Sequence, residues 1–162
     1  MPLKRVFLVI AGLVPIGILA SIGWHRLRCS DRFDAYYPTY DLAKEAVEHG
    51  WIPSRVPSAA LEIHEEHDID TNEVWIRFRL PESERATLVT GMRRLSQHEV
   101  ESLRTRCPCA TGWWYEGIIE QVPASDGALN ADIYIGKDPM AGRLEFVGLD
   151  RAEPLVYYWN DP

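Results

Sequence analysis

A run without charged side chains, residues 6–24, is the feature that most constrains how this chain folds. An α-helix of that length rises roughly 28 Å, close to the hydrocarbon core of a bilayer at about 30 Å. The run ends on Trp24, and an aromatic residue is typical of a membrane interface. The sequence therefore predicts an N-terminal membrane anchor over residues 1–28, with a single transmembrane helix at about 6–24.

A cleaved signal peptide is the alternative interpretation of this run. Lys4 and Arg5 would form its basic start, and Ser21 and Gly23 are small enough for a cleavage site. The uncharged run is longer than the usual apolar stretch of about 7–15 residues in a signal peptide, which favours the uncleaved anchor.

Basic residues flank the run on both sides, so they do not set its orientation. Two precede it and three follow it: Lys4, Arg5, Arg26, Arg28 and Arg32. A very short tail before one span is typical of a signal anchor. We therefore expect a bacterial inner-membrane protein that crosses once, with its body in the periplasm or otherwise outside the cytoplasm.

The body of the chain is strongly acidic. Residues 1–28 hold four basic residues and no acid, so the remainder has 13 basic residues against all 24 acids and a net charge of −11. Nucleic-acid binding needs a basic face, so this composition excludes it. An acidic field speeds the capture of a basic partner, which favours a protein partner instead.

The pattern along the chain predicts a linker and one domain. Residues 29–40 are polar and aromatic with one proline, which is typical of a juxtamembrane linker, and residues 41–162 form the acidic domain. A short helix is expected over 41–49, with Gly50 at the C′ position. Another is expected over 81–95, and a third begins at Ser96, where Ser-x-x-Glu is a capping box.

Alternation of apolar and polar residues predicts a β-hairpin at 61–79. Its two strands flank the turn residues Asp70, Thr71 and Asn72. The residues expected on its solvent side are Glu62, His64, Glu66 and Asp68. Further strands are expected at 113–119, 131–135, 143–149 and 155–159. The predicted fold class is therefore α+β: an N-terminal transmembrane helix, then a small antiparallel-sheet domain with two or three short helices packed on it.

Two groups of side chains are candidates for a site. The first is His64, Glu66 and Asp68, which a small metal-dependent hydrolase would use for acid–base chemistry. On a strand, however, His64 and His67 point to opposite faces and do not share a metal, so we expect neither a metal nor a cofactor. The second group is Trp113, Trp114 and Trp159, which would bind glycan or peptidoglycan if exposed and fill a core if buried.

Three cysteines occur in the sequence: Cys29, Cys107 and Cys109. Since the number is odd, at least one has no partner within the chain. Cys107 and Cys109 are too close in sequence for an ordinary disulfide, and no second cysteine pair completes a zinc site. We therefore expect small thiols in a turn.

The hairpin sequence resembles a group of small bacterial single-pass membrane-anchored proteins of unknown function. It carries their pattern I-H-x-x-x-[ND]-x-D-T-N-x-x-W from Ile63 to Trp75, with looser similarity around Trp113 and Trp159. The resemblance implies anchorage and fold but supplies no activity. With no catalytic constellation beside it, we expect a protein-binding envelope domain in an accessory or immunity-type role.

Overall fold

The computed structural model describes residues 31–103, 109, 111–114, 130–138 and 142–160. The chain divides into two units, Met1–Asp31 and Arg32–Pro162, and every element described below lies in the second. The anchor, the alternative signal peptide and the span at 6–24 fall outside the described residues. Among the residues that are described, no helix is both long and apolar enough to cross a bilayer.

Seven β-strands form one sheet in the described part of the chain. They are β1 (Arg32–Thr39), β2 (Leu61–Asp68), β3 (Val74–Arg79), β4 (Arg93–Arg94), β5 (Ala131–Lys137), β6 (Leu144–Asp150) and β7 (Leu155–Asn160). Their order across the sheet is β1-β2-β3-β7-β6-β5-β4, and every neighbouring pair is antiparallel. Two meanders, β1 to β3 and β4 to β7, therefore meet where β3 pairs with β7.

The helices between the strands are short. They are α1 (Lys44–Glu48), α2 (Glu82–Leu88) and α3 (Gln97–Ser102), with 3-10 turns at Tyr40–Ala43 and Thr111–Trp113. The predicted α+β fold class is therefore wrong, because the described residues are mostly a seven-stranded antiparallel sheet. The predicted strands at 131–135, 143–149 and 155–159 are confirmed as β5, β6 and β7. Most of the strand expected at 113–119 lies outside the described residues.

Backbone geometry explains why the helices are shorter than predicted. The chain enters the first through a 3-10 turn, so α1 keeps only the second half of the expected 41–49. The helix expected over 81–95 ends at Leu88, and Gly91, with φ of 80°, turns the chain into β4. The apolar periodicity predicts helix up to residue 95, but residues 93 and 94 instead pair with β5 as strand β4. The capping box at Ser96 is confirmed, with Glu99 as its reciprocal partner.

Residues 32–39, which the sequence placed in a linker at 29–40, form the edge strand β1. Its register runs from Arg32 opposite Asp68 to Thr39 opposite Leu61. Polar side chains and Pro38 favour a linker when the segment is read alone. An edge strand tolerates both, because one side of its backbone faces away from the sheet.

Each face of the sheet carries its own core. On the first face, strand residues pack under α1, residues 52–60 and α2; the central ones are Ile63, Ile76, Phe78, Val147, Val156 and Tyr158. On the second face, strand residues pack under the segment after β4, including Leu95 and Trp114; the central ones are Trp75, Ile133, Phe146, Tyr157 and Trp159. The middle strands are therefore buried on both sides.

Candidate functional site

Charged and polar side chains are concentrated in the interior around β2. Four consecutive residues, Glu65 to Asp68, are buried, and Glu73 just before β3 is buried with them. The expected solvent side of the hairpin is therefore wrong for Glu66 and Asp68, because a second layer covers the face on which they lie. Since successive strand residues point to opposite faces, these side chains divide into two networks.

The network on the second face centres on Arg32. Its guanidinium lies 3.4 Å from Glu66 Oε1, 3.2 Å from Asp68 Oδ2 and 3.8 Å from Glu73 Oε2. The same group stacks over the Trp75 ring, 4.5 Å from the centroid. One cation thus compensates three buried carboxylates. We call these five residues the Arg32 network.

Cys109 extends the Arg32 network. Its backbone N–H donates to Glu66 Oε1, and its Sγ lies 3.5 Å from Arg32 Nη1. Cys109 is disulfide-bonded, so the expectation of a thiol is wrong at this position. The other two cysteines of the chain, Cys29 and Cys107, lie outside the described residues. The sequence did not indicate this bond, because the tertiary fold decides which cysteines come close enough to pair.

The network on the first face is a carboxyl–imidazole pair. Glu65 Oε1 lies 2.6 Å from His67 Nδ1, and both residues are buried. Two rings stack on the imidazole: Trp51 at 4.5 Å with planes 15° apart, and Phe33 at 5.7 Å with planes 17° apart. The imidazole is therefore held in position by one hydrogen bond and two ring contacts.

Burial shifts the pKa of both partners towards the neutral form. Desolvation, reinforced by the charges of Glu66 and Asp34, raises the pKa of Glu65 to about 8. Desolvation also lowers the pKa of His67 and outweighs the opposite effect of Asp68. We therefore expect the pair to share a single proton near neutral pH.

Replacing Glu65 with glutamine should change how stability depends on pH. A carboxyl with a higher pKa in the folded state retains its proton on folding, so stability falls as pH rises from 4.5 towards about 8. Glutamine does not ionise, so Glu65→Gln should gain stability over the wild type across that window and keep the gain above it.

Chemical denaturation at pH values on both sides of the window measures this effect. Glu62→Gln, on the exposed side chain three residues earlier in β2, is the matched control and should show no such trend. A difference between Glu65→Gln and wild type that does not vary with pH would contradict the raised pKa.

A cleft opens beside His67. Its volume is about 420 Å³, and it is bordered by the 50–53 loop, the β2–β3 turn, the β5–β6 turn and the end of β7. Trp51 reaches it because α1 ends in a Schellman motif: Trp51 N–H donates to Ala46 O at 2.9 Å, and Gly50 N–H donates to Val47 O at 3.0 Å. Gly50, with φ of 80°, occupies the C′ position as predicted.

The residues singled out from the sequence fall in separate places. Glu66 and Asp68 meet at Arg32, whereas His64 lies between Tyr36 at 4.6 Å and Trp113 at 5.6 Å. As expected, His64 and His67 occupy opposite faces. Within the described ranges, no group of three or more His, Cys, Asp or Glu residues is arranged to hold a metal. Of the residues that the structure describes, those that stack on His64 are aromatic rings and do not form an acid–base set with it.

The three tryptophans also differ in environment. Trp114 and Trp159 are buried, with rings 6.1 Å apart in an edge-on contact. Trp113 is half-buried against His64 and Trp114. Trp114 and Trp159 are therefore core residues. Two of the three tryptophans expected to bind glycan are thus buried in the core on the second face.

Sequence reasoning missed Arg32, Glu65 and Trp51. Arg32 is one of several basic residues that flank the apolar run, and Glu65 is one acid in a polar run, so no local pattern distinguishes either of them. The composition of residues 64–68 carried a signal, since these five residues are three carboxylates and two imidazoles. Such side chains need hydrogen-bonding or charged partners if both faces of the strand are buried.

The outer edge of β1 is exposed and carries large apolar side chains. Phe33 is 54% exposed, Tyr36 52% and Leu61, at the adjoining end of β2, 47%. Asp34 and Glu62 are exposed beside them. In the described part of the chain no strand pairs with this side of β1. We call these five residues the β1 edge surface.

Comparison with known proteins gives one similarity. Residues 31–79 match a family model described as the YbbD head domain. The matched segment spans β1 to β3, and it contains the Arg32 network, the Glu65–His67 pair and the β1 edge surface. No curated protein and no solved structure is significantly similar to the chain.

Proposed function

We propose that this chain is a membrane-anchored binding protein whose acidic domain captures a partner protein at the β1 edge surface, in an accessory role without catalysis. The observation that carries the proposal is an eight-residue edge strand with exposed aromatic side chains on both of its faces. Unpaired backbone groups on such an edge accept an added strand, and flanking side chains supply specificity.

Charge indicates the chemistry of the partner segment. Asp34 and Glu62 lie among the exposed apolar side chains of the β1 edge surface, and the chain outside residues 1–28 has a net charge of −11. An extended segment with basic and apolar residues complements this surface. A second copy of the chain would bring like charges together, which disfavours edge-to-edge dimerisation.

The proposed location outside the cytoplasm is supported by two features. The apolar run at 6–24 suits an anchor, and the disulfide of Cys109 suits an oxidising compartment. The Arg32 network would hold the first residue of β1 in register while a partner strand pairs with its outer edge.

Site-specific photo-crosslinking in cells tests the proposal. A photoreactive residue is placed at Phe33 or Tyr36, and at Leu144 as a control that is exposed on β6. One protein should crosslink from both β1 positions and not from position 144. The purified partner should then bind the full-length protein, and binding should weaken as salt concentration rises.

Charge reversal distinguishes this surface from others. Asp34→Lys with Glu62→Lys should weaken binding of the purified partner, whereas Glu84→Lys on α2 should not. The proposal would be overturned if the crosslinks joined two copies of this chain or if all three positions gave identical products. It would also be overturned if the charge-reversed variant bound the partner as tightly as the wild type.

A further inference from the structure

The cleft beside His67 is walled by segments that are fixed before any ligand arrives. Arg143 Nη1 donates to Asn72 O at 3.1 Å, and Asn160 Nδ2 donates to the same oxygen at 3.1 Å. Asn160 Oδ1 also accepts from Val74 N–H at 2.7 Å. The β2–β3 turn is thereby joined to the start of β6 and the end of β7, which makes this side of the cleft rigid.

The facing wall is formed by the loop after α1. The Schellman motif places Trp51 over His67, and Trp51 itself is 40% exposed at the cleft. The β5–β6 turn is closed by Asp138 N–H donating to Arg143 O at 2.9 Å and Gly142 N–H donating to Asp138 O at 2.8 Å. A volume of about 420 Å³ lies within the range of small-molecule sites.

His67 is presented to this cleft in one orientation. Nδ1 is committed to Glu65, so Nε2 is the ring nitrogen left for a ligand. A buried carboxyl beneath a buried imidazole is not needed for packing, since apolar residues of similar volume would serve at least as well. An arrangement that costs stability and fixes one imidazole at the wall of a cleft is typical of a ligand site.

The other lining groups select against charged ligands. Asp68 already accepts from Arg32 and from two backbone N–H groups, and Arg143 is engaged with the β2–β3 turn. Asp138 also lines the cleft and is likewise engaged within the protein, and its carboxylate disfavours an anion. What remains is a mixture of neutral donors and acceptors, chiefly the imidazole and the Asn72 amide, beside one indole.

From this lining we infer that the cleft binds a neutral polyhydroxylated ligand of the size of one or two sugar rings, with His67 Nε2 as a central hydrogen-bonding group. Hydroxyl groups both donate and accept, which matches the mixed lining. The site lies on the first face of the sheet and adjoins the β1 edge surface only at Phe33, whose ring stacks on His67.

Titration of the ¹⁵N-labelled full-length protein, in a detergent without a sugar headgroup, tests the inference by NMR. The probes are cellobiose, maltose and N,N′-diacetylchitobiose at millimolar concentrations, with inorganic phosphate and cadaverine as charged controls. At least one disaccharide should shift the Trp51 indole N–H and the His67 ring ¹⁵N signals saturably, and the charged probes should not.

Three variants link any binding to the cleft. His67→Phe keeps the ring stack and removes Nε2, and Asn72→Gly removes the exposed amide while tolerating the left-handed φ of 56°. Each should weaken binding by about tenfold. His49→Phe, on a ring that stacks on Trp51 at 4.9 Å without lining the cleft, is the matched control and should bind normally.

The alternatives have distinct results. If no disaccharide gives saturable shifts, or if phosphate or cadaverine does so instead, the inference is wrong. Equal weakening by His49→Phe and Asn72→Gly would also contradict it. Asn72→Gly keeps the test decisive if His67→Phe does not fold, because Asn72 is exposed.

Discussion

Replacing Arg32 with alanine should lower the free energy of unfolding by about 3–5 kcal/mol, the usual cost of removing one partner from a buried ion pair. The Arg32 side chain is only 10% exposed and faces Glu66, Asp68 and Glu73. Without it, three carboxylates of the Arg32 network lose their shared cation, and Trp75 loses a stacked guanidinium. Denaturant unfolding at neutral pH measures the loss.

Arg79→Ala is the matched control. Arg79 is on β3 of the same sheet, but its side chain is 39% exposed and its carboxylate contacts are at 4.0 Å. Such surface pairs contribute less than about 1 kcal/mol. The loss of stability in Arg32→Lys should be intermediate between those of Arg32→Ala and Arg79→Ala. A lysine ammonium keeps the positive charge but lacks the planar guanidinium that reaches several carboxylates. Equal losses for Arg32→Ala and Arg79→Ala would show that the Arg32 network does not stabilise the fold.

The loss of stability in Arg32→Ala should also depend on pH. Burial raises the pKa of Asp68, but the Thr71 N–H and the Arg32 guanidinium outweigh it and hold that pKa below its ordinary value of 3.8. A lowered folded pKa stabilises the protein above the ordinary value, and that stabilisation is lost as pH falls through the folded pKa. The difference between wild type and Arg32→Ala should therefore narrow as pH falls below 3.8.

Replacing Trp159 with alanine should cost about 3–5 kcal/mol, as for other buried large-to-small substitutions. Trp159 is 1% exposed, stacks on Phe146 at 5.2 Å with planes 8° apart, and meets Trp114 edge-on. Its indole nitrogen has no hydrogen-bond partner in the described part of the protein, so the expected loss comes from packing.

Trp159→Phe should recover much of this loss, because phenylalanine restores an aromatic contact with Phe146. Leu144→Ala, at an exposed position of β6, should have a small effect. Near-ultraviolet circular dichroism provides a second readout, since the edge-on Trp114–Trp159 contact gives a signal that both variants at position 159 remove. A loss below about 1 kcal/mol for Trp159→Ala would contradict a packed core on the second face.

The β-hairpin was predictable because its signals are local. Alternation over 61–79 and the turn residues between the strands identified β2 and β3, and apolar runs identified β5, β6 and β7. The cap at Ser96 and the glycine at position 50 were also readable, since each depends on residues a few positions apart.

The candidate site was not predictable to the same degree. Alternation assigns residues to two faces but does not say that both faces are covered. Trp114 and Leu95 bury the second face, and they approach it from a segment far along the chain from β2. For the same reason, alternation alone predicts Glu66 and Asp68 in solvent, and composition alone predicts a linker where β1 pairs with β2.

By itself, the sequence determined strand periodicity, turns, caps, the acidic composition of the body and the apolar run at 6–24, because each depends on neighbouring residues or on simple counts. Tertiary structure alone decided which polar residues are buried, that Arg32 serves three carboxylates, and that His67 lines a cleft while His64 lies between Tyr36 and Trp113. Burial and charge pairing join residues that are tens of positions apart in the sequence. The identity of a charged residue's partner therefore cannot be predicted from the residues next to it.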